Sequence, residues 1–170
     1  MATFPTAQKA PAIKAIKAVI FDMNEEIRRY AELSPIPGVT ELLEDLHNHG
    51  IKLALATSGS KVRMEAVLEI LDLQTAFTAT LSAEDVKNAK PGPEIFLKAA
   101  QRLDVSPESC VVIEESADGV TAAKQAGMFC IGYQGQAQVD QDLSEADWIV
   151  RDFSELTYKS ITARFNRSET

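Results

Sequence analysis

Three apolar runs in this sequence each stop on side chains that can do chemistry. Residues 15–22 (AIKAVIFD) end on Asp22, residues 51–56 (IKLALA) give way to Thr57 and Ser58, and residues 110–114 (CVVIE) end on Glu114 with Glu115 next. Lys90 stands in a loop just ahead of an amphipathic segment. A carboxylate, a hydroxyl, a lysine and a further acidic pair form a coherent set for phosphoryl transfer. The carboxylate attacks phosphorus and forms an acyl phosphate. Hydroxyl and backbone N–H groups hold phosphate oxygens, and the lysine offsets charge in the transition state. Clustered carboxylates suit Mg²⁺, a hard cation that takes oxygen ligands and keeps several waters.

Each of these residues also has a plainer reading. Asp22 can be a helix cap or a surface residue. Thr57 and Ser58 can cap the helix that follows, a position Ser and Thr favour, and the same N–H groups can bind phosphate. Lys90, followed by Pro-Gly-Pro, can be an ordinary loop lysine. Glu114 and Glu115 can be a solvated acidic pair, although two carboxylates closing a buried strand call for a counter-charge, which Mg²⁺ or Lys90 would supply. His47 and His49 lie near a helix end, where a dipole-stabilised or solvent-exposed role is the simple account.

The elements that must position these groups alternate in kind. Residues 15–22, 51–56, 77–81, 110–114 and 129–133 read as strands, with a short sixth over residues 147–150. Between them, Pro37 opens a helix whose Val39, Leu42, Leu43 and Leu46 recur at helical spacing up to Gly50. Residues 62–73 read as a second helix with Val62, Ala66, Leu68 and Leu71 on its inner side. Residues 93–103 form a third with Ile95, Phe96, Ala99 and Ala100 inward. Residues 117–126 form a fourth, closed by Gly127, and residues 153–165 a terminal one. Such alternation predicts an α/β fold with a parallel sheet covered by helices on both faces. Right-handed crossovers then bring the carboxyl ends of the strands, and so Asp22, Thr57, Ser58, Glu114 and Glu115, to one rim.

The totals agree. A chain of 170 residues with 45% hydrophobic and 25% charged residues reads as one ordinary globular domain. Residues 1–15 read as a loose arm, residues 16–165 as the domain and residues 166–170 as a tail. The net charge of -8 argues against nucleic acid or an anionic membrane surface as partner. No apolar run approaches membrane-spanning length, and residues 1–15 lack the apolar stretch of a signal peptide. Cys110 and Cys130 sit in apolar segments without CxxC spacing and read as buried thiols. These features point to a cytoplasmic protein. Trp148, the one tryptophan, is placed at the sheet edge.

Four stretches, AVIFDM, LALATSGS, AKPGPEIFLKAA and VVIEESADGVTAAKQAGM, resemble the ordered motifs of the haloacid dehalogenase superfamily, in the branch of β-phosphoglucomutase-like and phosphoglycolate-phosphatase-like proteins. The resemblance runs from about residue 16 to about residue 150. It implies a three-layer Rossmann-like core with strand order 3-2-1-4-5. It also implies that Asp22 is the nucleophile, that Thr57, Ser58 and Lys90 hold phosphate, that Lys90 assists catalysis, and that Asp22, Asn24, Glu114 and Glu115 hold Mg²⁺. The implied substrate is a small phosphorylated compound.

Three departures from the family pattern stand out. The family reads DxD after the first strand, and here Asn24 takes the place of the second aspartate, which normally protonates the leaving oxygen; Asn24 has no proton to exchange, though its backbone carbonyl could bind the metal. Only about a dozen residues separate Asp22 from Ile36-Pro37-Gly38, where relatives insert a cap domain, so none is expected here, and residues 25–33 resemble the last helix of such a cap. Glu115 replaces the usual aspartate, adding a methylene to a ligand of a geometrically demanding ion. Two functions follow as alternatives: a Mg²⁺-dependent phosphohydrolase slowed by these changes, or a catalytically silent scaffold that acts by binding or oligomerisation. An exposed patch around Ile27, Tyr30, Leu33 and Ile36 would favour a homo-oligomer.

Overall fold

The computed structural model describes residues 15–22, 36–135 and 141–168. Six strands, β1 (Ala18–Asp22), β2 (Lys52–Ala56), β3 (Ala79–Leu81), β4 (Cys110–Glu114), β5 (Phe129–Tyr133) and β6 (Trp148–Val150), form one sheet of order β3-β2-β1-β4-β5-β6. Every pairing is parallel. Five helices, α1 (Val39–Asn48), α2 (Lys61–Ile70), α3 (Glu94–Leu103), α4 (Ala117–Gln125) and α5 (Tyr158–Arg167), supply the crossovers and the close of the chain. The expected order is present, and the short sixth strand extends it at the β5 edge.

Side-chain alternation explains why the central strands are apolar throughout. Val19, Phe21, Leu53, Leu55, Val111 and Ile113 pack on one face with α1, α2 and α5 residues such as Leu46, Leu68 and Ile161. Ala18, Ile20, Ala54, Ala56, Cys110 and Val112 pack on the other with α3 and α4 residues such as Phe96, Ala99 and Ala123. A strand buried on both faces has no polar side until it leaves the sheet. That is where Asp22 and Glu114 stand.

Several expectations are corrected. The inner face of α2 is Met64, Val67 and Leu68, while Val62 is 75% exposed. The helix is capped by Ser60, whose side chain accepts from the Arg63 N–H, and not by Thr57 or Ser58. Val62 precedes Met64 by two residues, a rotation of about 200° on a helix, so with Met64 inward it faces solvent. The expected terminal helix over residues 153–165 is instead a 3₁₀ turn at Phe153–Glu155 followed by α5. Each part is fastened by its own N-terminal capping box, led by Asp152 and by Thr157, and a residue that caps cannot also continue the preceding turn. The Tyr158 N–H donates to Asp45 Oδ2 at 2.6 Å, tying α5 to α1 across the face. His49 stacks on Tyr158 with ring centroids 4.1 Å apart, a packing contact not expected from the sequence, while its Nδ1 lies 2.8 Å from the Asp45 carbonyl at the end of α1. Trp148 lies in the edge strand beneath the Arg164 guanidinium. Cys110 and Cys130 are buried free thiols, and burial pushes the Cys110 pKa up to about 12. No helix among the described residues is long and apolar enough to cross a membrane.

Candidate phosphoryl-transfer site

Strand register builds the site. Phe21 of β1 pairs with Ile113 of β4, so Asp22 and Glu114 follow as neighbours at the carboxyl ends of the two central strands. These are the strands from which the crossovers diverge, the switch point where a doubly wound sheet opens a crevice. Lys90 arrives from the loop before α3. Its Nζ donates to Asp22 Oδ1 and to Glu114 Oε1, both at 2.6 Å. The three side chains are nearly dry, with exposures of 6% for Lys90, 8% for Asp22 and 0% for Glu114. The Lys90 ammonium also lies 4.9 Å from the centroid of the Phe96 ring, which is itself fully buried. The surface readings of Asp22 and of the acidic pair, and the plain loop reading of Lys90, do not fit this burial.

Glu114 is held from two sides. Its Oε1 takes the Lys90 bond, and its Oε2 accepts from the Ser116 N–H at 2.7 Å and the Ser116 hydroxyl at 3.0 Å. Ser116 in turn caps α4, its hydroxyl accepting from the Gly119 N–H at 3.1 Å. The carboxylate lies directly over the first turn of that helix. A Cβ on Gly119 would stand 1.6 Å from Glu114 Oε1, so position 119 admits no side chain while Glu114 is where it is. Sequence reasoning missed both Ser116 and Gly119. The available signal was a glycine inside a helix, which costs about 1 kcal/mol relative to alanine and so asks for a packing reason.

Glu115 is only 9% exposed. One ligand oxygen from each of Asp22, Glu114 and Glu115 falls within 4.8 Å of the other two. Burial first, and then the Asp22 and Glu114 charges, push the Glu115 pKa up to about 10. Glu114 is raised as well, by burial and by Asp22, against the pull of Lys90. Burial alone would lower the Lys90 pKa, but the two carboxylates outweigh it and the ammonium is held more firmly than usual. Three carboxyl groups crowd one ammonium in a dry place, and Glu115 limits the negative charge by keeping its proton. Such a donor set, all oxygen and short of cation, fits a hard divalent ion.

Thr57 stands one residue beyond Ala56, the β2 partner of Asp22, and is wholly buried. Its hydroxyl accepts from the Gly59 N–H at 2.9 Å. Ser58 beside it is exposed at the rim. The structure therefore brings Asp22, Lys90, Glu114 and Glu115 into one cluster and sets Thr57 and Ser58 at the end of the neighbouring strand. Asn24 lies outside the described residues, as do the expected helix over residues 25–33 and Ile27, Tyr30 and Leu33 of the expected patch; Ile36 is 47% exposed.

Residues 2–133 match the family model described as haloacid dehalogenase-like hydrolase. The chain is 40% identical over 123 residues to the β-phosphoglucomutase of Bacillus subtilis (strain 168), an alignment covering 72% of this chain and 51% of that one. It is 46% identical over 106 residues to the phosphorylated carbohydrates phosphatase of Thermotoga maritima, covering 62% and 49%. Among solved structures, β-phosphoglucomutase from Clostridium difficile superposes with a TM-score of 0.71 at 32% identity, covering 79% of this chain and 57% of that one. The chain thus spans about half the length of these relatives.

Proposed function

Since the chain belongs to the haloacid dehalogenase-like hydrolases, we propose that it hydrolyses a small phosphate monoester through an acyl phosphate on Asp22. The observation that carries this reading is the Lys90 ammonium held 2.6 Å from both Asp22 and Glu114 in a nearly buried cluster. Asp22 Oδ attacks phosphorus and the bond to the leaving oxygen breaks. Lys90 and the buried Thr57 end of β2 steady the phosphoryl oxygens as charge redistributes. Water then attacks the phosphorus of the aspartyl phosphate, releasing inorganic phosphate and restoring the carboxylate. Asp22, Glu114 and Glu115, with the backbone carbonyl of Asn24, would hold Mg²⁺, which supplies Lewis-acid neutralisation of the phosphate charge. For Glu114 to serve as a direct ligand, one of its oxygens would have to give up or share its bond to Lys90 or Ser116.

The names of the relatives favour a phosphorylated sugar as substrate. Asn24 argues for slow turnover, because positioned acid–base help is worth roughly 100- to 10,000-fold and an amide gives none. The leaving oxygen must then take its proton from solvent, so esters with good leaving groups should outpace sugar phosphates. The silent-scaffold reading draws on the same residue.

The test is Mg²⁺-dependent phosphate release from p-nitrophenyl phosphate and acetyl phosphate by the wild type, Asp22→Ala and Asn24→Asp. Loss of activity in Asp22→Ala is expected, and a rise of up to roughly 100-fold in Asn24→Asp, whose carboxylate would activate the water that attacks the aspartyl phosphate. Silence in all three proteins would overturn the enzyme reading and leave the scaffold.

A further inference from the structure

The loop that carries Lys90 has little to hold it by packing. Between β3 and α3, Val86 is the one apolar side chain packed against the core, and it is only partly buried; of the polar ones, Ser82 is buried next to β3 and Lys90 reaches the Phe96 ring. Most of the other residues from 83 to 92 are exposed or half-buried and polar or small. A long, flexible lysine on such a loop would spread over many rotamers, since its side chain carries about 2 kcal/mol of rotamer entropy. Yet its Nζ sits at hydrogen-bond distance from two buried carboxylates at once.

Polar contacts from α3 supply the missing grip. Glu94, the first residue of α3, turns back over the loop. Its Oε1 accepts from the Lys87 N–H at 3.1 Å, and its Oε2 accepts from the Asn88 N–H at 2.9 Å and the Asn88 side-chain amide at 3.0 Å. One turn on, Lys98 pairs with Glu94 at 2.8 Å and donates to the Asp85 carbonyl at 2.7 Å. Two turns on, Arg102 pairs with Asp85 and donates to the Thr80 carbonyl at 2.7 Å. Residues 94, 98 and 102 are spaced by four, so they share one stripe of the helix. That stripe fastens the chain from the end of β3 to within two residues of Lys90.

We infer that Glu94 is a positioning residue for Lys90, fixing through the Lys87 and Asn88 amides the loop that aims the ammonium at Asp22 and Glu114. The importance of that aim for turnover rests on the phosphohydrolase reading, whereas the tether itself does not. The four bonds together hold the Glu94 pKa down to about 2, led by the Lys98 pairing and then the Lys87 and Asn88 amides, so the carboxylate is ionised at any working pH.

The test reads Lys90 directly. Lysine labelling by acetic anhydride, followed by mass spectrometry, is compared for the wild type, Glu94→Ala and Glu94→Gln, with Lys52 as internal reference because its Nζ is also bonded, to the Leu103 carbonyl. Lys90 should be slow to label in the wild type. It should label at least 10-fold faster in Glu94→Ala, and to an intermediate degree in Glu94→Gln, which keeps one acceptor oxygen, while Lys52 is unchanged. Unchanged Lys90 labelling in both variants overturns the inference. Equal acceleration of Lys52 and Lys90 also overturns it, because that marks general loosening and not a local tether. Should Glu94→Ala fail to fold, Glu94→Gln alone decides. If the wild type turns over p-nitrophenyl phosphate, kcat/KM should fall at least 10-fold in Glu94→Ala. A wild type without turnover would sink the function reading and leave the labelling result to stand or fall separately.

Discussion

Two lysines of this molecule make nearly identical contacts and do different work. Lys90 Nζ lies 2.6 Å from carboxylate oxygens of Asp22 and Glu114, and Lys124 Nζ lies 2.6 and 2.7 Å from the two oxygens of Asp147. Lys90 is 6% exposed at the centre of the sheet, and Lys124 is 36% exposed near its β5–β6 edge. Lys124 faces one carboxylate in contact with solvent; Lys90 faces two nearly buried ones, with the Glu115 carboxyl close beside them. Contact length therefore does not separate a site from a surface staple. The dielectric around the pair and the imbalance of charge within it do.

The comparison breaks most visibly if the two lysines are removed in turn. Lys90→Met leaves buried carboxylates without their counter-charge, and stability in metal-free buffer at neutral pH should fall by about 3–5 kcal/mol. Urea unfolding measures it, and a loss below about 1 kcal/mol would put the central cluster in the same class as the edge pair.

A middle-sized effect should appear with pH. The Glu115 pKa is raised to about 10 in the folded chain from an ordinary value of 4.5. Between those values the folded state holds a proton that the unfolded state has released, so stability falls as pH rises through that window. Mg²⁺ bound as proposed would replace that proton, so its stabilising effect should be larger at pH 8.5 than at pH 5. Thermal melts with and without Mg²⁺ should show a shift of a few degrees that grows with pH. A Mg²⁺ effect independent of pH would show that Glu115 takes no part in holding the ion.

The smallest effect belongs to Lys124→Met. An exposed pair contributes about 0.2–1 kcal/mol, and salt screens it. The loss measured by urea unfolding should shrink further in 0.5 M NaCl; a larger, salt-insensitive loss would mean that the edge pair is more than a surface contact.

Much of this was legible in the sequence, for reasons that also explain the rest. A strand buried on both faces must be apolar along its length, so Asp22 and Glu114 announce themselves as the residues that break the run. Parallel alternation then carries them to one rim without knowledge of a single contact. What could not be read was phase and reach. The start of α2 depends on whether Thr57, Ser58 or Ser60 caps it, and the face it buries, Met64 and Leu68 inward with Val62 out, is chosen by packing on the sheet. The break before α5 depends on Thr157 serving as a cap inside the stretch read as one helix. The grip of Glu94 depends on a loop folding back onto a helix start, which no periodicity records.

The bare flank of α4 has a consequence for how this chain can vary. Because the Glu114 carboxylate occupies the volume that any side chain at position 119 would fill, the two positions form a single steric unit five residues apart. Position 119 is not free to grow while Glu114 stays where it is. A methyl group at 119 becomes tolerable only when the acid at 114 is shortened or swings away, and swinging away releases Lys90. Substitutions here are thus expected to travel as a pair, with size at one position traded against reach at the other.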